Sequence, residues 1–397
     1  MPARRQRQFA AVRSMLCSRV KMPSASLSTT SRRAILTAVL ACAAGLAVNL
    51  WVAVNNRSGF GVDFNQFYSG SRLAGTGSLY DWGALRKIEL EHGPPAPLGR
   101  LPVVVFGAKL IGWMPFPVAR GVWLAGSLVS LLVFVLAWPG MNRLAAAVAL
   151  CWSMPAALFL VLGQDTPFWL MFAAAGLRLL SRARPRMAGA ALAFCICKFH
   201  LAVGFPILLA AQKRWRAMGG AVAAGAILLG ACFWIEGPAW PRRYLHALAN
   251  PTFSDAIPRM ADLRGIAWWL PWPSAVETVL AIAVAVLFWW FCRRTPDPGL
   301  AGAGAAAVGM LLGRHGQASD FALLIPLLVF TVQRPGTPAW LKVWAVLLLT
   351  PVPTLLVVTN KPFLGQIPMV AFVIAALLRE CLAGPETGAA ASPPLPA

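Results

Sequence analysis

Asp63 lies in a polar, glycine-bearing stretch, Gly61-Val-Asp-Phe-Asn-Gln-Phe-Tyr-Ser-Gly-Ser-Arg72, directly after the first long apolar run. The chain holds only 13 Asp and Glu among 397 residues, so a carboxylate placed beside an apolar run reads as a site before it reads as a connector. A carboxylate there can take the proton of a hydroxyl. Lys198, which interrupts the apolar stretch 187–211, is the matching cation: an ammonium can meet the charge that grows on a departing phosphate. Arg264 is a second candidate for the phosphate, and Tyr68, Arg72, Gln164, Asp165, His315 and Asp320 are candidate substrate-binding or supporting groups.

Each of these residues also has a plainer reading. Asp63 can cap a surface helix that follows it, and Gln164 with Asp165, or Asp320, can cap the next helix in turn. Lys198 can snorkel to an interface or pair with a carboxylate. His315 can be a loop histidine without a ligand, and His200 can simply pack. The 17 Trp are mostly of the kind that lines membrane interfaces.

Positioning such groups falls to a bundle of membrane helices. Hydrophobic residues make up 58% of the chain and charged residues 12%. Apolar runs of roughly 15–21 residues, separated by short basic or Pro/Gly clusters, have the length of bilayer-spanning helices. The net charge of +22 sits mostly in those short loops and so orients the chain in a membrane; no basic stripe on a soluble module supports nucleic-acid binding. The eight cysteines are scattered without a Cys-x-x-Cys, so neither a metal site nor a disulfide framework is expected.

The first 33 residues carry eight Lys and Arg and no acid, which puts residues 1–33 in the cytoplasm and makes Ala34–Val54 a retained first span. Residues 55–117 then form a first outer loop, with surface helices at Trp82–Glu91 and Leu101–Met114. Further spans are expected at Val118–Trp138, Leu144–Leu162, Phe168–Leu180, Ala217–Ile235, Ser274–Cys292, Gly299–Gly313, Phe321–Val332, Trp340–Val358 and Phe363–Leu378. The arms Met187–Cys197 and Phe199–Ala211, each too short to cross alone, form a half-helix pair with Lys198 at its tip; a single tilted span of 25 residues is the alternative. The expected architecture is thus an all-α polytopic membrane domain, residues 34–380, of about 10–12 transmembrane segments, followed by a disordered Pro/Ala/Gly-rich tail, 381–397. With this topology the unusual polar residues fall on the outer side, around a cavity suited to a substrate with sugar hydroxyls and a phosphate.

At these residues the sequence resembles glycosyltransferase family 87, membrane mannosyltransferase-like enzymes of the GT-C superfamily. Asp63-Phe-Asn-Gln-Phe-Tyr68 followed by Gly77-Ser-Leu-Tyr80 is similar to the family's first-loop pattern. Leu101–Pro117 with Trp123, then Gly163-Gln164, Pro185–Gly189, Lys198 and Arg214-Trp-Arg216, resemble its next blocks. Leu263-Arg-Gly265 and His315 to Pro326, including Asp320, resemble the late ones. The resemblance implies a GT-C fold and transfer of a sugar, commonly mannose, from a polyprenyl-phosphate donor to a lipid or glycan acceptor, with inversion and usually without a nucleotide sugar; the sequence itself requires no metal or other cofactor. It casts Asp63 as general base and Lys198 as a phosphate ligand, at the outer face of a bacterial inner membrane. The chain departs from the pattern at Arg100-Leu101-Pro102, where Tyr-Pro-Pro is usual, at Lys198-Phe199, where Lys-Pro is usual, and at Asp262. A transporter or lipid flippase built around a mid-membrane Lys is the alternative from another class, and a non-catalytic assembly protein a third.

Overall fold

The computed structural model describes residues 29–55, 61–250, 257–260, 262–358 and 362–383. Residues 1–28 of the basic segment, residues 384–397 of the tail and the loop positions Asp255 and Lys361 lie outside them. Among the described residues every regular element is an α- or 3-10 helix, and the chain is an all-α polytopic membrane protein. The described residues fall into two units, divided between residues 41 and 42, the first holding the amino-terminal part of helix Thr29–Asn55.

Among the described residues four helices are long and apolar enough to cross a membrane: Phe116–Ala137, Trp215–Glu236, Pro273–Arg294 and Phe363–Leu382. Two expected single crossings are instead bent pairs. Arg143–Trp152 meets Met154–Leu162 at 68°, and Ala339–Leu349 meets Pro351–Val357 at 59°. In the first pair Ser153 accepts from the Ala156 amide and Pro155 follows, so one helix is capped where the next begins. In the second, Pro351 opens the new helix. Length and apolarity alone therefore give four to six crossings. Leu36–Asn49, Thr166–Ser181, Pro298–Leu312 and Ala318–Gln333 are apolar but shorter.

The stretch around Asp63 is a helix, Val62–Leu73, rather than an open loop. Its polar composition hides an aromatic face: Phe64, Phe67 and Tyr68 recur at three- and four-residue spacing and are all buried. Phe67 stacks on Trp123 at 4.6 Å and Phe64 lies 5.4 Å from Phe116, so the helix docks on the start of Phe116–Ala137. Short helices follow at Trp82–Glu89, Pro102–Gly107 and Lys109–Gly112, where the surface helices were expected. The wholly buried Glu89 ties them together, accepting from the Ser69 hydroxyl at 2.8 Å and the Ala96 amide at 2.7 Å.

Around Lys198 the chain runs as helix Pro185–Ala193, 3-10 turn Phe194–Leu201 and helix Gly204–Ala211. Lys198 itself leaves helical geometry, at φ −128° and ψ 71°, so two short arms meet at this residue and no single helix of 25 residues exists. Helix Pro298–Leu312, nine of whose 15 residues are Gly or Ala, is buried along nearly its whole length and supports the break. A Cβ on Gly309 would meet the Leu201 carbonyl oxygen at 2.1 Å, and one on Gly204 the Ala305 carbonyl oxygen at 2.0 Å. Small residues let the backbones approach this closely where lipid supplies no hydrophobic drive for helix association.

Candidate active site

Two left-handed glycines place Asp63. Gly163, at φ 75°, ends helix Met154–Leu162, and Gly61, at φ 76°, opens helix Val62–Leu73. The Gly61 amide donates to the Val161 carbonyl at 3.0 Å, and Phe64 packs against Gly163 so closely that a Cβ there would lie 2.5 Å from the Phe64 Cβ. This contact sets Asp63 beside Gln164, whose Nε2 donates to Asp63 Oδ2 at 2.9 Å. Among the described residues Asp63 Oδ1 has only a long contact, 3.5 Å, from Gln66 Nε2. Burial raises the Asp63 carboxyl above its ordinary value of 3.8, outweighing the Gln164 hydrogen bond and the nearby charges of Arg100 and Lys198.

Behind Gln164 lies a buried polar cluster. Lys198 Nζ donates to Gln164 Oε1 at 2.7 Å, Thr166 Oγ1 at 2.8 Å and Asp320 Oδ1 at 2.5 Å, and stands 3.7 Å from Asp165 Oδ1. Ser319 also donates to Gln164 Oε1, at 2.8 Å, and Gln317 Oε1 accepts from Gln164 Nε2. Asp320 has a second task, accepting the Gln317 amide with its Oδ2 at 2.9 Å and so closing the turn that presents Gln317. Asp165 opens helix Thr166–Ser181 but makes no capping bond. Its carboxylate instead takes a fork from Arg100, Nε to Oδ2 at 2.9 Å and Nη2 to Oδ1 at 3.1 Å.

Five of the sequence-derived candidates thus meet: Asp63, Gln164, Asp165, Lys198 and Asp320. Sequence reasoning missed Arg100, Thr166, Gln317 and Ser319; Arg100 stood out only as a departure from a family pattern. The Tyr80 hydroxyl donates to the Arg100 carbonyl at 2.8 Å, which fixes the backbone from which this guanidinium reaches in. Tyr68 and Arg72 stand apart. The Tyr68 hydroxyl donates to the Met114 carbonyl at 3.0 Å, and the exposed Arg72 lies over the Tyr68 ring at 5.8 Å.

A cavity of about 250 Å³ adjoins the cluster at Gln317 and is lined also by Arg259, Met260, His315, Gly316 and Val357. Asp262 supports its wall, accepting the Gly265 amide at 2.9 Å with one oxygen and the Gly316 amide at 2.9 Å with the other. Burial pushes the Asp262 carboxyl up to about 7 and the His315 imidazole down to about 4, so His315 is neutral at pH 7. Arg264 sits half-buried on the short helix Leu263–Ala267, with Nη1 3.5 Å from the Arg314 carbonyl.

A helical membrane fold that buries three carboxylates and an ammonium beside a cavity lined by Arg259 carries the mark of a functional site, since such groups are costly there. Residues 97–314, more than half of the 397, match glycosyltransferase family 87, and the chain belongs to that family as a membrane glycosyltransferase. The matched residues include Arg100, Gln164, Asp165, Lys198 and Arg264, while Asp63, His315 and Asp320 lie outside them. No curated protein and no solved structure matches the chain.

Proposed function

We propose that the protein has a GT-C-type architecture and transfers a sugar, mannose by family resemblance, from a polyprenyl-phosphate donor to a hydroxyl of a lipid or glycan acceptor. The site faces the exterior of a bacterial inner membrane and the amino terminus lies in the cytoplasm, an orientation supported by the basic loops. The observation that carries this reading is Asp63: a buried carboxylate of raised proton affinity, with Oδ2 tied to Gln164 and Oδ1 nearly unengaged, joined through Gln164 to Gln317 on the cavity wall.

In the proposed reaction Asp63 takes the proton of the acceptor hydroxyl as its oxygen attacks the anomeric carbon. The bond from that carbon to the phosphate oxygen breaks, the polyprenyl phosphate leaves with the electron pair, and configuration inverts. Arg259 and Arg264 supply positive charge for the departing phosphate, and neutral His315 supplies a hydrogen bond rather than a charge. These residues suffice for the step without a metal ion.

The test is transfer by purified protein in liposomes supplied with polyprenyl-phosphate sugars and a panel of lipid and glycan acceptors. Wild-type protein is expected to make a glycosylated acceptor with inverted anomeric configuration, and Asp63→Asn to lower kcat by about 10²–10⁴-fold. Absence of wild-type transfer across the donor panel overturns the reading, and undiminished transfer by Asp63→Asn removes the base.

A further inference from the structure

Lys198 is the residue whose sequence-derived role fits its surroundings least. An ammonium has three N–H donors and no acceptor. Among the described residues all three are taken inside the protein, by Gln164 Oε1, Thr166 Oγ1 and Asp320 Oδ1, and the side chain is 2% exposed. A phosphate could reach it only by displacing a buried partner. Asp320 has the shortest of these bonds and is itself pinned by the Gln317 amide.

What the ammonium does instead follows from Gln164. A glutamine side chain offers two N–H donors and an oxygen with two lone pairs, and its two ends can be exchanged by a half-turn. Here Oε1 receives Lys198 Nζ and the Ser319 hydroxyl, while Nε2 faces Asp63 Oδ2 and Gln317 Oε1. Turned over, the amide would set its N–H groups against an ammonium and its oxygen against a carboxylate. Lys198 can only donate, so it forbids that arrangement.

We infer that Lys198 is a positioning residue that acts on Asp63 through Gln164: it locks the amide, the amide holds Asp63 Oδ2, and Oδ1 is thereby left as the one oxygen aimed at the acceptor hydroxyl. The inference rests on the proposed transferase reading and deepens it. It leaves the donor phosphate to Arg259 and His315, which line the cavity, with the charge of Arg264 felt at His315. Asp165, Arg100 and Asp320 complete the charged surroundings of Asp63 and Lys198, and none of them touches Gln164 Nε2.

The experiment compares wild type, Lys198→Met in an Asp320→Asn background, which leaves no lone buried carboxylate behind, and Gln164→Met. The readouts are kcat, KM for the donor and Kd for farnesyl phosphate by calorimetry in the same liposomes. Loss of the lock is expected to lower kcat by about 10²-fold, the usual cost of a misplaced reacting group, with donor KM and Kd for farnesyl phosphate within about twofold of wild type. Adding Gln164→Met to the lysine variant is expected to cost nothing further, because both act on one element. A Kd raised tenfold or more with kcat kept, or independent losses from the two substitutions, overturns the inference; farnesyl phosphate binding reports this even if one variant is too damaged for turnover. Failure of wild-type protein to transfer sugar is a different outcome and sinks the transferase reading itself.

Discussion

At the residue scale, the two oxygens of Asp63 meet different fates, one bonded to Gln164 and the other nearly bare. Its raised carboxyl value means the folded chain holds this proton where the unfolded chain has released it. Stability from this group therefore falls as pH rises from 3.8 through the raised folded value, and the penalty persists above it. Asp63→Asn is expected to melt at an equal or higher temperature than wild type at pH 7 while transfer is lost. In the wild type, the acidic limb of the kcat profile should lie above the ordinary carboxylate range, since the base must be ionised. Arg100 and Asp165 offer a second measurement. Either Arg100→Gln or Asp165→Asn leaves a buried charge short of its partner and should cost about 3–5 kcal/mol, whereas the double substitution should recover much of that loss in denaturant melts. Asp63, Asp165, Lys198 and Asp320 were legible in the sequence because ionisable groups beside apolar runs are costly and therefore conspicuous, whereas Arg100 sits in a polar loop and did not stand out. Thr166, Ser319 and Gln317 were not legible, since uncharged polar groups occur everywhere; the bonds that give them meaning, Lys198 to Thr166 and Gln164 to Gln317 and Ser319, join residues 32 to 155 positions apart.

At the scale of elements, hydropathy located the apolar runs but not their bends. Averaging over 18 or more residues cannot see a break at Ser153 or Thr350, although Pro155 and Pro351 mark both places. The break at Lys198 was readable because each arm is too short to cross alone. Helix Val62–Leu73 was read as a loop from its Gly, Ser and Asn content, while its stability comes from aromatic packing that only the partner helix reveals. The docking of that helix makes a sharp prediction at Gly163. Gly163→Val imposes a side chain where φ is 75° and a Cβ would strike Phe64. Strain of about 1–2 kcal/mol from the backbone alone, plus the clash, should release the helix. Hydrogen exchange is expected to rise across residues 62–73, with loss of turnover, while the Lys198 arms stay protected.

At the scale of the whole molecule, the chain keeps its polar cluster and its basic loops in different places along the sequence. The clusters at Arg182-Ala-Arg-Pro-Arg186 and Lys213-Arg-Trp-Arg216 flank the two arms of Lys198, and the site residues avoid both. Single cysteines in a cysteine-free background test the proposed orientation. A membrane-impermeant maleimide added to intact cells should label Trp82→Cys and Leu90→Cys, both on exposed positions, and should reach Arg184→Cys and Arg216→Cys only after permeabilisation. Labelling of the basic loops from outside would invert the topology and place the site on the opposite face.

The site is stitched from Asp63, Gln164, Lys198 and Asp320, and their order along the chain has a consequence for biosynthesis. A growing polypeptide delivers Lys198 to the membrane 122 residues before Asp320, the carboxylate that bonds it. Through that interval the carboxylates near the ammonium are Asp165, which is also claimed by Arg100, and Asp63, which makes no direct bond to it. An unbalanced charge among apolar helices keeps that part of the bundle loose. The last helices then do more than close the domain: their arrival brings Gln317, Ser319 and Asp320 to Gln164 and Lys198, so a partly made or truncated chain holds Asp63 without the network that fixes its neighbour Gln164.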